Sequence, residues 1–235
     1  MATPARQTDR KIADRLGRRR WSIWRGLRWL GVRALLLMVG LVALYGIINP
    51  PTTWTIAREA TVQRQWADAD EIAPVMLRSV VAAEDANFCG HWGFDMAEIR
   101  KVIASGSERG ASTISQQTAK NVYLWQGRSW TRKLLESAFT PMIEALWSKR
   151  RILEVYLNVA EFGPGIFGVH AASAQYFGTT PDALTPAQAA RLAAVLPAPK
   201  QRSPRQSSRS RAIADGAATI ARDGRAACFE RPGRG

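Results

Sequence analysis

The chain of 235 residues is long enough to form one sizeable hydrophobic core. Its formal net charge is +14, of which residues 1–33 contribute a net charge of +8 and residues 200–235 a net charge of +6. Residues 34–199 are therefore neutral overall. This distribution argues against a folded body that binds nucleic acid and favours contact with a membrane surface.

The first predicted element is a membrane anchor. Residues 29–48, WLGVRALLLMVGLVALYGII, contain one charge, Arg33, and about twenty apolar residues span a bilayer core as a helix. A cleaved signal peptide is the alternative, but the apolar run exceeds the usual signal core and NPPTTW at 49–54 is a poor cleavage site. Because basic residues stay on the cytoplasmic side, we predict a basic cytoplasmic segment at 1–28 and an exported chain after Pro50.

Residues 49–71 are interpreted as a linker, and helical patterns follow it. The helix expected from residue 129 contains Pro141, which should kink or interrupt it. Apolar residues at helical spacing predict helices at about 72–88, at about 112–125, from about 129, and again over 152–159.

The last helix of the predicted body begins at TPAQ, residues 185–188. Thr185 is the expected N-cap, Pro186 the first helical residue, and Gln188 the second half of a capping box. We find no alternating strand pattern. The sequence therefore predicts an all-α domain at 72–199 and a basic, low-complexity tail at 200–235.

Glu84 is the first candidate for chemistry. It continues the apolar stripe of the first predicted helix, three and four residues beyond Val81 and Val80. Burial and the C-terminal end of a helix dipole both raise the pKa of a glutamate, which suits a general base. The alternative is a helix that rotates slightly and leaves Glu84 in solvent.

Glu136 is the second candidate. It lies within one helical turn of Arg132 and Lys133, on the side away from the apolar stripe. The alternative is an ordinary ion pair on a solvated face, which contributes about 0.3–0.5 kcal/mol.

A polar helix face is the third candidate, with Thr113, Gln117 and Lys120 at i, i+4 and i+7. The face has donors and no carboxylate, so it suits an anionic or hydroxylated ligand, and a plain solvent-facing surface is the alternative. Two carboxylates and several cations on different helices suit transfer of a sugar from a phosphate leaving group. A base opposite the leaving group would invert the sugar carbon.

Four sequence blocks resemble the peptidoglycan glycosyltransferases, family 51 of the glycosyltransferases, of the monofunctional Gram-negative type. The blocks are AAEDANFCGHWGFD (82–95), RGASTISQQTAKNVYLW (109–125), RKLLESAFTPMIEALWSKRRILEVYLNVAEFG (132–163) and GVHAASAQYFG (168–178). The resemblance implies a lysozyme-like, all-α domain behind a single N-terminal transmembrane helix, on the outer face of the bacterial cytoplasmic membrane. It also implies that the substrates are lipid II and the lipid-linked glycan strand, with other cell-wall synthesis proteins as candidate partners and no role for nucleic acid.

The resemblance also assigns residues. Glu84 matches the family's base, which activates the 4-hydroxyl of the incoming lipid II, and Glu136 matches its second essential glutamate. The positions that match substrate-contacting or site-shaping residues are Asp85, Phe88, His91, Thr113, Gln117, Lys120, Arg132 and Lys133.

The sequence says less about a cofactor requirement and about the pairing of the two cysteines. The resemblance implies no required cofactor, although some family members are stimulated by Mg²⁺ or Mn²⁺, and no dedicated metal cage is readable. Zinc is not expected, because His91 and His170 have no second cysteine at ligand spacing. Cys89 and Cys228 could pair in an oxidising compartment, and the sequence leaves this open.

Two other functions compete with this interpretation. A lytic muramidase would share the fold and one catalytic glutamate, but cleavage of an uncharged glycosidic bond has no use for the cationic cluster. A membrane-anchored scaffold that binds cell-wall enzymes would need neither glutamate. The Glu84→Gln variant separates catalysis from scaffolding.

Overall fold

The computed structural model describes residues 4–106, 110, 112–127 and 129–231. The chain divides into two compact units, Met1–Leu44 and Tyr45–Gly235. In the described part, 63% of the residues are helical and 3% are in strands.

The N-terminal unit is helical. Helix α1 covers Pro4–Ile47, and its segment Trp24–Ile47 is long and apolar enough to cross a membrane, with a mean hydropathy of 2.1 over its most apolar window. This agrees in length and composition with the anchor predicted at 29–48. Most side chains of the basic segment predicted at 1–28 lie outside the part of the chain that the structure describes.

The second unit holds the remaining helices and one short hairpin. Helices begin at side-chain caps wherever the sequence offers Ser, Thr or Asp, for example Thr113 and Ser129. The elements are α2 Trp54–Ala57, α3 Pro74–Glu84, α4 Met96–Ser105, α5 Ile114–Tyr123, α6 Trp130–Leu146, α7 Lys149–Val159, β1 Glu161–Gly163, β2 Ile166–Phe167, α8 Val169–Phe177, α9 Pro186–Ala193 and α10 Ser208–Arg222.

Helix α7 lies at the centre of the core. Helix α5 packs on both α6 and α7, while α3 packs on α9 and α10. The apolar and aromatic side chains of α7 with at most 1% exposure are Ile152, Leu153, Val155, Tyr156 and Leu157. Helix α5 is thus held by two helices of the core, and a hydrogen bond from Ile114 to Asp85 joins its start to the end of α3.

The antiparallel pair β1–β2 is the one feature that an all-α prediction misses in the described chain. Its strands have three and two residues, too short to display an alternating pattern. Gly165 turns the chain between them at φ 72°, a conformation that glycine adopts without a steric penalty.

Helix α6 continues through Pro141, so the expected interruption at this residue is wrong. The expectation of a low-complexity tail is wrong as well. The supposed low-complexity tail folds into α10, which packs against α3 and α9, and is tied to the body by a disulfide between Cys89 and Cys228. The packing of an apolar stripe, rather than composition, decides this segment's structure.

Candidate active site

Glu84 is the last residue of α3, and its side chain is 11% exposed. The Nε2 of Gln117 donates to Glu84 Oε2 at 3.0 Å, and Nη2 of Arg209 lies 3.6 Å from Oε1. Burial raises the pKa of this carboxyl, and the bond from Gln117 and the charge of Arg209 oppose the shift. The solvent-exposed alternative is therefore wrong. Within the described residues Oε1 accepts no hydrogen bond.

Gln117 connects Glu84 to the protein core. Its Oε1 accepts a hydrogen bond from the Tyr156 hydroxyl at 3.2 Å, which fixes the amide so that its NH₂ faces Glu84. Tyr156 is 1% exposed. The carboxylate is thus oriented by a chain of hydrogen bonds that starts in α7.

Lys120 lies one turn further along α5, on the wall of a cleft of about 510 Å³. Other residues along this cleft include Gln117, Asn121, Tyr156 and Glu161. Burial is the main cause that lowers the pKa of Lys120. Among the described residues it has no hydrogen-bond or ion-pair partner for its ammonium group, which is therefore free to bind an anion.

Glu136 forms a buried ionic cluster with two cations. Arg132 Nη1 lies 2.6 Å from Oε2 and Lys133 Nζ 2.5 Å from Oε1, and the Glu136 side chain is 3% exposed. The prediction of an ion pair is confirmed, but a solvated face is wrong. The field of this cluster reaches Lys120, because Glu136 raises the pKa of Lys120 while Arg132 and Lys133 lower it. The cations Lys120, Arg132 and Lys133 outnumber the two carboxylates that act on Lys120, Glu136 and Glu84, so the site keeps a positive excess.

Thr113, which the sequence placed on the polar face, has a structural role in the fold. It is the N-cap of α5 and is 3% exposed. Its hydroxyl donates to the carbonyl of Gly93 at 2.7 Å and accepts from the Gln116 amide at 3.2 Å. Both functions of this hydroxyl are used by the fold, so Thr113 fixes the start of α5.

The residues that follow Glu84 in the block 82–95 support the site. Asp85 accepts from the backbone amide of Ile114 at 3.0 Å and pairs with His91 Nε2 at 2.8 Å. These bonds join the loop after α3 to the start of α5. Phe88 is fully buried against His91 and Phe229. Phe88 thus shapes the site through packing, and its contact with substrate stays a prediction.

Asp85, His91 and Asp95 place ligand atoms within 4.8 Å of one another, a spacing that a metal ion could use. The oxygen atoms are already engaged, however. Asp95 Oδ1 caps α4 by accepting from the amides of Ala97 and Glu98, each at 3.0 Å. Both carboxylates of this group are therefore used by the fold, Asp95 as a helix cap and Asp85 in its contacts with Ile114 and His91.

Sequence reasoning missed Arg209, which approaches Glu84 from α10. It also missed Glu144 and Lys149, which form an ion pair of 2.8 Å. The Nζ of Lys149 donates to the His91 carbonyl at 2.8 Å as well. The Ser207 N-cap could have indicated the helix that carries Arg209, but not the contact of Arg209 with Glu84. The Glu144–Lys149 pair spans two helices, so its local spacing gave no such signal.

The helical fold, the buried glutamate and the adjoining cationic cleft define an enzyme that transfers glycosyl groups. A family model described as transglycosylase matches residues 52–223, and the chain belongs to this family. No transpeptidase domain is found in the chain.

Three similar proteins carry the same name. The biosynthetic peptidoglycan transglycosylase of Jannaschia sp. (strain CCS1) is 52% identical, over 97% of this chain and 99% of the relative. The protein of that name from Xanthomonas campestris pv. campestris (strain B100) is 50% identical over 75% and 79% of the two chains, and that of Caulobacter vibrioides 46% over 80% and 87%. The family and the apolar helix α1 together suggest a membrane-anchored peptidoglycan glycosyltransferase.

Proposed function

We propose that this protein polymerises lipid II into glycan strands by inverting glycosyl transfer, with release of undecaprenyl pyrophosphate. One observation carries the proposal. Gln117 binds the buried carboxylate of Glu84 on one side and lines the cleft of the unpaired Lys120 on the other. A base and an anion site thus lie on the two sides of one side chain, and a reaction between a hydroxyl and a sugar pyrophosphate needs both nearby.

In the proposed step, Glu84 accepts the proton of the acceptor's 4-hydroxyl as that oxygen bonds to the anomeric carbon of the donor. The bond from this carbon to the pyrophosphate oxygen breaks, and its electron pair leaves with the pyrophosphate. Attack opposite the leaving group inverts the carbon. The raised pKa of Glu84 makes it a stronger base than an exposed glutamate.

The leaving pyrophosphate needs positive charge more than it needs a proton donor. We assign this role to Lys120 together with Arg132 and Lys133. Glu136 accepts hydrogen bonds from Arg132 and Lys133 and holds both side chains in one geometry. Loss of Glu136 should therefore disorder the donor site rather than remove the base.

A lytic muramidase remains the competing enzyme, and the cationic cleft disfavours it. The test is incubation of the purified full-length protein with lipid II, followed by sizing of the products. We expect long glycan strands and undecaprenyl pyrophosphate. Cleavage of added peptidoglycan without any polymer would overturn the proposal.

We also propose that no resident metal takes part in the chemistry. Asp95 already caps α4, and Asp85 and His91 already bind each other. Mg²⁺ or Mn²⁺ would then stimulate through the substrate's pyrophosphate. Polymerisation should persist after dialysis against a chelator. Complete loss of activity that returns with one cation would contradict this assignment.

For location we propose the bacterial inner membrane, with a single pass, a cytoplasmic N-terminus and an exported catalytic domain. The basic residues before Ala34 support this orientation, and the Cys89–Cys228 disulfide suits an oxidising compartment outside the cytoplasm. Other cell-wall synthesis proteins that use the same strands are the proposed partners.

A further inference from the structure

Residues 224–231, which we call the C-terminal strap, cross the loop that follows Glu84. Arg225 Nη1 donates to the carbonyl of Ala86 at 3.0 Å. Cys228 is bonded to Cys89, and the ring of Phe229 lies 6.3 Å from that of Phe88. The strap thus touches three of the four residues that follow Asp85.

The far end of the strap is attached to the body as well. Arg150 Nη1 donates to the Phe229 carbonyl at 3.0 Å, and Arg231 lies 2.8 Å from Asp70. Phe229 is 1% exposed, so its ring belongs to the core. The strap is therefore an integral part of the fold and not a surface tail.

Helix α10, which leads into the strap, packs against the same end of α3. Arg209 approaches Glu84, and a Cβ built on Gly216 would lie 3.1 Å from the Cβ of Ala82. Helix α10 and the strap together enclose the last turn of α3, which carries Glu84. Movement of either would displace the carboxylate relative to Gln117 on α5.

We propose that the C-terminal strap, closed by the Cys89–Cys228 crosslink, is a positioning element that holds Glu84 in its catalytic geometry. The inference rests on the proposed glycosyl transfer. Its physical basis is the unequal strength of the strap's attachments. Apart from the packing of Phe229 on Phe88, the strap meets the loop through the exposed Arg225, whose contact contributes little, and through the crosslink, which joins residues 139 positions apart covalently.

Opening the crosslink needs a thiol reductant that supplies two electrons. A thiolate attacks one sulfur to form a mixed disulfide, and a second thiolate of the reductant releases it, which leaves Cys89 and Cys228 as thiols and the reductant as a disulfide. Both cysteines are partly exposed, so a small dithiol can reach them.

The experiment compares the full-length wild type with and without dithiothreitol, and the Cys89→Ser/Cys228→Ser variant under both conditions. We expect reduction to lower the wild-type kcat on the order of tenfold with a smaller change in the KM for lipid II, since small misplacements of a catalytic group are costly. The double variant should show the same low kcat and no response to reductant. Arg231→Ala, which removes only an exposed ion pair at the strap's end, is the matched control and should behave as wild type.

Hydrogen exchange supplies a readout that does not depend on activity. Amides of the loop at 85–91 should exchange faster after reduction, while those of α7 keep their protection. Loss of α7 protection would show that the crosslink only stabilises the whole fold, and unchanged kcat and exchange would show that it does nothing; either result overturns the proposal. If oxidised wild type makes no polymer but the loop still responds to reduction, the proposed function fails while the strap's attachment stands.

Discussion

Glu84 and Lys120 have pKa values displaced towards each other, and burial is the main cause for both. Burial disfavours the charged form, so it raises the pKa of the carboxyl and lowers that of the ammonium group. Catalysis needs both charged forms. The pH range of activity should therefore be narrower than ordinary glutamate and lysine residues would give.

The acid side of this range tests Glu84. As pH falls through its pKa the base is protonated, so activity must fall, and this limb should lie above that of an exposed glutamate. The charge of Arg209 holds the pKa down, as does that of Arg202, while Asp85 raises it. Arg209→Gln should thus move the acid limb of kcat to higher pH, whereas Arg211→Gln, exposed on the same helix, should not. An unmoved limb in Arg209→Gln would contradict the assignment.

The ammonium group of Lys120 is tested by Lys120→Met, which keeps the apolar stem and removes the charge. Because that charge stabilises the departing pyrophosphate, kcat should fall on the order of 10²-fold, with a smaller loss of lipid II binding. Lys101→Met is the control, since that side chain is 77% exposed on α4. Equal turnover in both variants would return Lys120 to a solvent-facing role.

At the level of elements, local signals were predictable and tertiary ones were not. Thr185 and Gln188 form the expected capping box of α9, because a cap depends on four consecutive residues. Thr113 has the same kind of cap, yet the helical spacing had suggested a ligand-binding face. A three-residue pattern does not distinguish a cap from a binding residue.

Helix α10 shows a periodicity that its basic composition concealed. Ile213, Ala217 and Ile220 are buried at i, i+4 and i+7, and Ser207 caps the helix. The Arg209 contact with Glu84 joins segments 125 residues apart in sequence, so no local pattern could predict it. The buried environment of Glu84 was predictable from its stripe, whereas the partner that opposes its pKa shift was not.

The crossing of α10 over α3 gives a prediction for stability. Gly216 approaches Ala82 so closely that a larger side chain must push the helices apart. Gly216→Val should lower the free energy of unfolding by about 1–3 kcal/mol, measured in urea. Ala218→Val, at an exposed position of the same helix, should cost well under about 1 kcal/mol. Equal midpoints for the two variants would show that this crossing is not tightly packed.

Over the whole molecule, the two basic ends serve different purposes. Basic residues of the C-terminal end are partly used by the fold, since Arg209 approaches Glu84 and Arg225 binds the loop after α3. Seven of the ten basic residues in the N-terminal end precede the apolar segment Trp24–Ile47, and the proposed topology keeps them in the cytoplasm.

A phosphatase that is active only outside the cytoplasm can report this orientation. Fused after residue 235 it should be active, and fused after residue 20 it should be inactive. The C-terminal fusion is placed beyond the strap so that α10 and the disulfide remain intact. Phosphatase activity from the fusion at residue 20 would reverse the proposed topology.

The central claim is that Glu84 is the base of glycosyl transfer, and Glu84→Gln tests it most directly. Glutamine keeps the shape and still hydrogen-bonds, but it cannot take the hydroxyl proton. The measurement is polymer formed from lipid II by wild type and variant, with lipid II binding and the circular dichroism spectrum as controls for the fold. We predict normal binding and no polymer at any pH. Polymer formation near the wild-type rate would contradict the account and leave Glu136 as the remaining candidate.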